Sequence, residues 1–315
     1  MTAALDTDFP DPAVLAEPVD GWWYAHATQH TTEERWCHVQ VARSADLVTW
    51  EHLGEALERP AWSKDQWECA WAPHVVARDG RFLMYYSAMP DDRSGMWLSV
   101  AVADRPAGPF RDVGVPLVRD GGYVAIDPMA FLDPGTGRWY LYWGSDHAPI
   151  RAVELAADGL SLAAGSTIHD ILAPAPDRPY ESLVEGPFVT FRNGWYVLLY
   201  SGDVFGGDVP NYAVLAARSR SPLGPFERLG DARGSIGRSS TILESSASRL
   251  APGHCSVFTG PDGIDRIAYH AIDPRDRWNR GERFVRRKFY LDRLAWDDGW
   301  PRVDAVRGDA PALDG

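Results

Sequence analysis

At 315 residues, 45% hydrophobic and 24% charged, the chain has a globular composition, and its length permits one large domain or two ordinary ones. A net charge of -13 argues against nucleic acid, which calls for basic patches, and no apolar run reaches the 18 residues that suggest a membrane span. Residues 1–6 have neither a basic nor an apolar leader region, and Cys37, Cys69 and Cys255 are widely spaced and odd in number, so free thiols and a cytoplasmic location are expected.

Along the chain, one unit recurs. It opens with a short polar motif: Phe9-Pro10-Asp11-Pro12, Trp71-Ala72-Pro73, Ile126-Asp127-Pro128, Glu185-Gly186-Pro187 or Gly253-His254. A turn signal follows in most units, at Asp79-Gly80, Asp133-Pro134-Gly135, Asn193-Gly194 or 260–263. Next comes an aromatic run too short for a typical helix, which reads as a strand buried on both faces. Alternating stretches at 37–42, 97–102 and 212–217 supply further strands. The segment 161–172 is the one weak candidate for a helix, and a loop fits it equally well.

With Tyr24, Tyr86, Trp143, Tyr200 and Tyr269 as markers of the aromatic runs, the steps are 62, 57, 57 and 69 residues. Repetition at such a period signals a repeat architecture. Five four-stranded antiparallel units fit an all-β, five-bladed β-propeller in a single domain, with blades at roughly 11–55, 70–115, 125–165, 183–230 and 254–303. Counting back 13 to 16 residues from each marker lands on Asp11, Trp71, Asp127, Glu185 and His254. These five are expected to converge at the mouth of a central channel.

Three carboxylates near one axis repel, and at least one must be held protonated. Glycoside cleavage uses that arrangement: a protonated carboxyl assists the leaving group while an ionised one activates water or attacks. Trp71 offers a flat face to a sugar ring, and Phe9 and Trp143, beside the motifs, are further candidates for substrate contact. No nucleophile elbow, zinc pair or phosphate loop competes with this reading.

These motifs, together with Trp296-Asp297-Asp298-Gly299-Trp300-Pro301, resemble glycoside hydrolase family 43 over nearly the whole chain. The resemblance implies inverting hydrolysis of arabinose- or xylose-containing oligosaccharides, with Asp11 as general base, Glu185 as general acid and Asp127 tuning that acid. It also implies a substrate-contacting Arg287 and a structural calcium ion beside His254, with no organic cofactor. Exo-acting α-L-arabinofuranosidase is the expected activity; β-xylosidase, endo-arabinanase and a non-catalytic sugar-binding propeller are the alternatives. Glu68-Cys69 resembles a pair in fructan-cleaving relatives but precedes the Asp127 motif, which sets that relation aside.

Overall fold

The computed structural model describes residues 2–31, 36–64, 70–144, 146–234, 239–279 and 284–304. Glu68 and Cys69 lie outside the described residues. Five antiparallel four-stranded meanders dominate the described residues; Val118–Arg119 and Thr241–Leu243 each add a short fifth strand, to the second and fourth. The first runs Ala13–Val14, Trp23–Ala27, Gln40–Ser44 and Glu51–Glu55. The second runs Ala70–Arg78, Arg81–Ala88, Trp97–Ala103 and Arg111–Asp112, and the third Met129–Leu132, Trp139–Trp143, Ile150–Leu155 and His169–Leu172. The fourth runs Val184–Arg192, Trp195–Val204, Asn211–Ser219 and Glu227–Arg228, and the fifth Leu250–Thr259, Asp265–Ile272, Lys288–Asp297 and Trp300–Asp304.

All five aromatic markers fall on the second strand of their blade, where both faces are covered by neighbouring sheets. Tyr86, Trp143, Tyr200 and Tyr269 are fully buried, which makes them the wedges between blades. Two of the hairpin turns have the dihedral signature that matches the twist of paired strands: Asp79-Gly80 (φ 47° and 75°) and Asn193-Gly194 (φ 51° and 78°). The segment 161–172 forms no helix. Leu162 bridges to Leu155, and His169–Leu172 pairs with the third strand to finish the blade. Leu229–Ala232 is the α-helix found among the described residues, and no helix there is long and apolar enough to cross a membrane.

The chain's start ties the ring shut. Ala4 N–H and Phe9 N–H donate to the carbonyls of Phe289 and Arg287, each at 2.8 Å, on or next to the third strand of the last blade. Arg287 N–H in turn donates to Asp8 Oδ1 at 2.8 Å. This closure brings Asp11 to the side of Arg287, across 276 residues of sequence. The inner strands enclose a central channel lined by Ala13, His74, Met129, Phe188 and Ser256, with Asp11, Asp127 and His254 at one end.

Candidate active site

At its pocket end each inner strand, or the residues leading into it, holds a residue in the left-handed conformation: Asp11 (φ 55°), Ala72 (47°), Asp127 (58°), Gly186 (56°) and His254 (48°), with Ala251 (49°) a second one in the fifth blade. In three blades the register slips there. Trp71 pairs with Ser87 but His74 with Tyr85, Glu185 with Ser201 but Phe188 with Leu199, and Gly253 with His270 but Ser256 with Ala268. One extra residue on the inner strand is a β-bulge, a device that re-aims a side chain. For residues with a Cβ this backbone costs about 1–3 kcal/mol each, strain of the kind that clusters at functional sites. Asp11, Asp127 and His254 occupy three of the five positions.

The five residues that sequence spacing treats as equivalent therefore occupy two adjacent positions. Trp71 and Glu185 stand one residue before the left-handed position, in the place that Gly253 takes in the fifth blade. An offset that varies by a few residues cannot separate neighbours.

A bulge removes its residue's N–H from the sheet ladder, and here the preceding blade supplies the acceptor. Ala72 N–H donates to Thr28 Oγ1 (2.8 Å), Gly186 N–H to Asp127 Oδ2 (3.0 Å) and His254 N–H to Ser201 Oγ (2.8 Å). Asp11 N–H donates to His270 Nδ1 (3.2 Å), which links the first blade to the last. The pocket floor is thus stitched from blade to blade, and buried backbone donors are satisfied where the strands break their pattern.

Asp11 is buried, which alone would raise its pKa, but Arg287, His254 and His270 outweigh burial and hold it well below the usual carboxylate range. Arg287 Nη1 lies 3.0 Å from Oδ1, and Thr28 Oγ1 donates to Oδ2 at 2.5 Å. His270 Nδ1 lies 3.1 Å from Oδ1, but it already accepts the Asp11 N–H. Burial lowers His270 to about 4 and also lowers His254. Both rings are neutral at pH 7, so the permanent charge that keeps Asp11 ionised is Arg287. Arg286 pairs instead with Asp276 at 2.7 Å, which settles which of the two arginines faces the site.

Asp127 goes the other way. Burial raises its pKa, the negative charges of Glu185 and Asp11 raise it further, and the N–H of Gly186 offsets only part of this. Asp127 therefore holds its proton at a pH where Asp11 has lost its own. His254 Nδ1 sits between the two aspartates, 3.4 Å from Asp11 Oδ1 and 3.8 Å from Asp127 Oδ2. Glu185 Oε1 accepts a 2.6 Å hydrogen bond from Tyr212 Oη. An ionised carboxylate beside a second carboxyl that holds its proton is a set of groups fit for concerted base and acid work.

Among the aromatic candidates, Trp71 is half-exposed and stacked on the exposed ring of Tyr123, with centroids 5.7 Å apart and planes at 15°, a ledge that can meet a sugar. Phe9 and Trp143 do not contact substrate. Both are 0% exposed, Phe9 against Phe289 and His52 and Trp143 within the packing between the second and third blades. Their place beside the motifs reflects strands covered on both faces. Sequence reasoning missed Thr28, His270 and Tyr212. The signal for His270 was present, because it immediately follows the marker Tyr269 as Ser201 follows Tyr200.

Calcium takes six to eight oxygen ligands, and no group of three His, Cys, Asp or Glu side chains among the described residues is placed to hold a metal. Asp11 and Asp127 already serve Arg287, Thr28 and Gly186, so the protein offers a cation one neutral imidazole, His254. The residues do not form a calcium cage, and no chemical step is assigned to a cation.

A sequence profile described as Glycosyl hydrolases family 43 matches residues 4–301. The chain belongs to that family. Its relatives include a β-D-galactofuranosidase of Aspergillus niger, 30% identical over 277 residues that cover 83% of this chain and 73% of the relative. An extracellular exo-alpha-(1->5)-L-arabinofuranosidase of Cellvibrio japonicus is 25% identical over 330 residues, covering 98% of this chain and 89% of that one. Among solved structures, a thermostable family-43 glycoside hydrolase superposes with a TM-score of 0.74 at 26% identity, covering 95% of this chain and 94% of its own. The protein is a glycosidase built on a five-bladed propeller.

Proposed function

We propose that this family-43 enzyme is an inverting, exo-acting α-L-arabinofuranosidase that releases terminal arabinose from arabinan or arabinoxylan oligosaccharides. The observation that carries the chemistry is the opposed state of the two aspartates beside Glu185: Asp11 is held ionised by Arg287, and Asp127 is pushed toward its protonated form by burial and by the charges of Glu185 and Asp11. In the reaction, Asp11 takes a proton from water as the oxygen attacks the anomeric carbon. Glu185 gives its proton to the departing oxygen as the glycosidic bond breaks. Asp127, whose Oδ2 accepts the N–H of Gly186, repels the charge of Glu185, so negative charge on either of the two favours the proton on the other.

The arabinofuranosidase among the relatives above supports arabinose as the sugar. A tied-down turn beside Asp11 supports attack at a chain end. The turn that joins Val204 to Asn211 is tied down by Arg277, whose Nη2 donates to the carbonyls of Gly207 and Asp208 at 2.5 and 2.6 Å. Phe205 of that turn lies under the Arg287 guanidinium at 4.6 Å, beside Asp11. A calcium ion beside His254 belongs to the same proposal, with water filling nearly all of its coordination shell.

The test is kinetic. kcat/KM is expected to be at least tenfold higher on 4-nitrophenyl α-L-arabinofuranoside than on 4-nitrophenyl β-D-xyloside, and the reverse order would overturn the sugar assignment. Glu185→Gln should lose far more activity on an alkyl arabinoside than on the nitrophenyl one, because a general acid matters in proportion to leaving-group basicity. Equal losses would remove Glu185 from that role.

A further inference from the structure

The mechanism above uses Asp11, Asp127 and Glu185, yet a close partner of Glu185 comes from a different strand. Tyr212, near the start of the strand Asn211–Ser219, is 1% exposed and donates to Glu185 Oε1 at 2.6 Å. Its ring lies flat on His270, with centroids 5.8 Å apart and planes at 2°. Gly253 makes room for it: a Cβ there would stand 2.0 Å from Tyr212 Cε1 and 2.1 Å from Cδ1, so any larger residue would displace the ring. Phe205 meets the same ring edge-on at 6.2 Å. His270, on which the ring rests, is the acceptor of the Asp11 N–H. One rigid contact chain thus runs from the base, Asp11, through His270 and Tyr212 to the acid, Glu185.

We propose that Tyr212 is a positioning residue for the general acid: its hydroxyl fixes Glu185 by Oε1, leaves Oε2 to carry the transferable proton, and sets the alkaline limit of activity. The proposal rests on the assignment of Glu185 as acid. Tyr212 serves only as a donor, because burial and the charges of Glu185 and Asp127 push its own ionisation well above the ordinary tyrosine value. A donated hydrogen bond favours the ionised carboxylate, so Tyr212 holds the acid's pKa down. The other groups facing this point are Asp127 from the third blade, Asp11 from the first, and His254, His270 and Arg287 from the fifth. Replacing Tyr212 by Phe alters none of their charges.

The experiment is the pH profile of kcat/KM for wild type, Tyr212→Phe and Gly253→Ala, with Glu185→Gln as control, each on the activated and the alkyl glycoside. Tyr212→Phe keeps the stack on His270 and should keep the melting temperature close to that of wild type. Its alkaline limb should move up by roughly one pH unit, the size of one missing hydrogen bond to a charged group. The weaker acid should cost about tenfold more on the alkyl than on the nitrophenyl substrate. Gly253→Ala should shift the limb in the same direction by pushing the ring away. A lower rate with the limb superimposable on that of wild type would overturn the proposal, since a purely structural tyrosine would give that result. If Glu185→Gln itself fails to discriminate leaving groups, the assignment of the acid falls and this inference with it. A discriminating Glu185→Gln beside an unshifted Tyr212→Phe overturns this inference alone.

Discussion

Replacing Arg287 by Met tests what keeps Asp11 ionised. The Nη1 to Oδ1 contact is 3.0 Å, and the two side chains are only 15% and 9% exposed, so solvent screens the pair weakly. With charge centres about 4 Å apart and an effective dielectric of about 20, the attraction is worth about 4 kcal/mol, or roughly three pKa units as an upper bound. Without that charge, burial dominates and the Asp11 pKa rises. Its carboxylate is the active form, so the rate is lost below its pKa, and the acidic limb of kcat/KM against pH should move upward by about one to three units. The variant should still approach a plateau at higher pH. Stability should respond with matching sign. In wild type the depressed pKa gives Asp11 a stabilising contribution above its unfolded value near ~4, lost as pH falls; in the variant the buried, unpaired carboxylate should instead make neutral pH the less favourable condition. An acidic limb unchanged in Arg287→Met would refute the argument that Arg287 sets the charge state of Asp11.

Two further outcomes follow from the stitched pocket floor and the channel. Thr28→Val removes the donor to Asp11 Oδ2 and the acceptor of the Ala72 N–H, so it should destabilise by about 1–3 kcal/mol and raise the acidic limb slightly, measured by calorimetry and a pH profile. With one neutral imidazole as its protein ligand, any calcium beside His254 should be stripped by chelator with little change in melting temperature or rate; metal analysis alongside thermal melts checks this, and a large drop in melting temperature would show a stronger site than these residues make.

The fold was legible because the second strand of every blade is buried on both faces, and that forces an aromatic run at a fixed place in each repeat. Asp11, Asp127, Glu185 and His254 were legible for a related reason: the pocket end of the inner strand precedes that run by a nearly constant interval. Exact equivalence was not, because a bulge inserts one residue and spacing alone cannot tell Glu185 from Gly186. Phe9 and Trp143 were misplaced since sequence proximity to a motif does not reveal which face of a strand a ring takes. Tyr212 sits on a third strand, whose distance from the inner strand depends on turn length, so no interval points to it. Arg287 reaches Asp11 only through the pairing of the first residues with the last blade.

The most direct test of the central claim is the stereochemistry of the first product. Hydrolysis of 4-nitrophenyl α-L-arabinofuranoside, followed by proton NMR before mutarotation, should show the β-anomer of arabinose appearing first, because Asp11 delivers water from the face opposite the leaving group. An α-anomer formed first would mean that a carboxylate, not water, attacks the sugar, and would contradict the division of labour between Asp11 and Glu185.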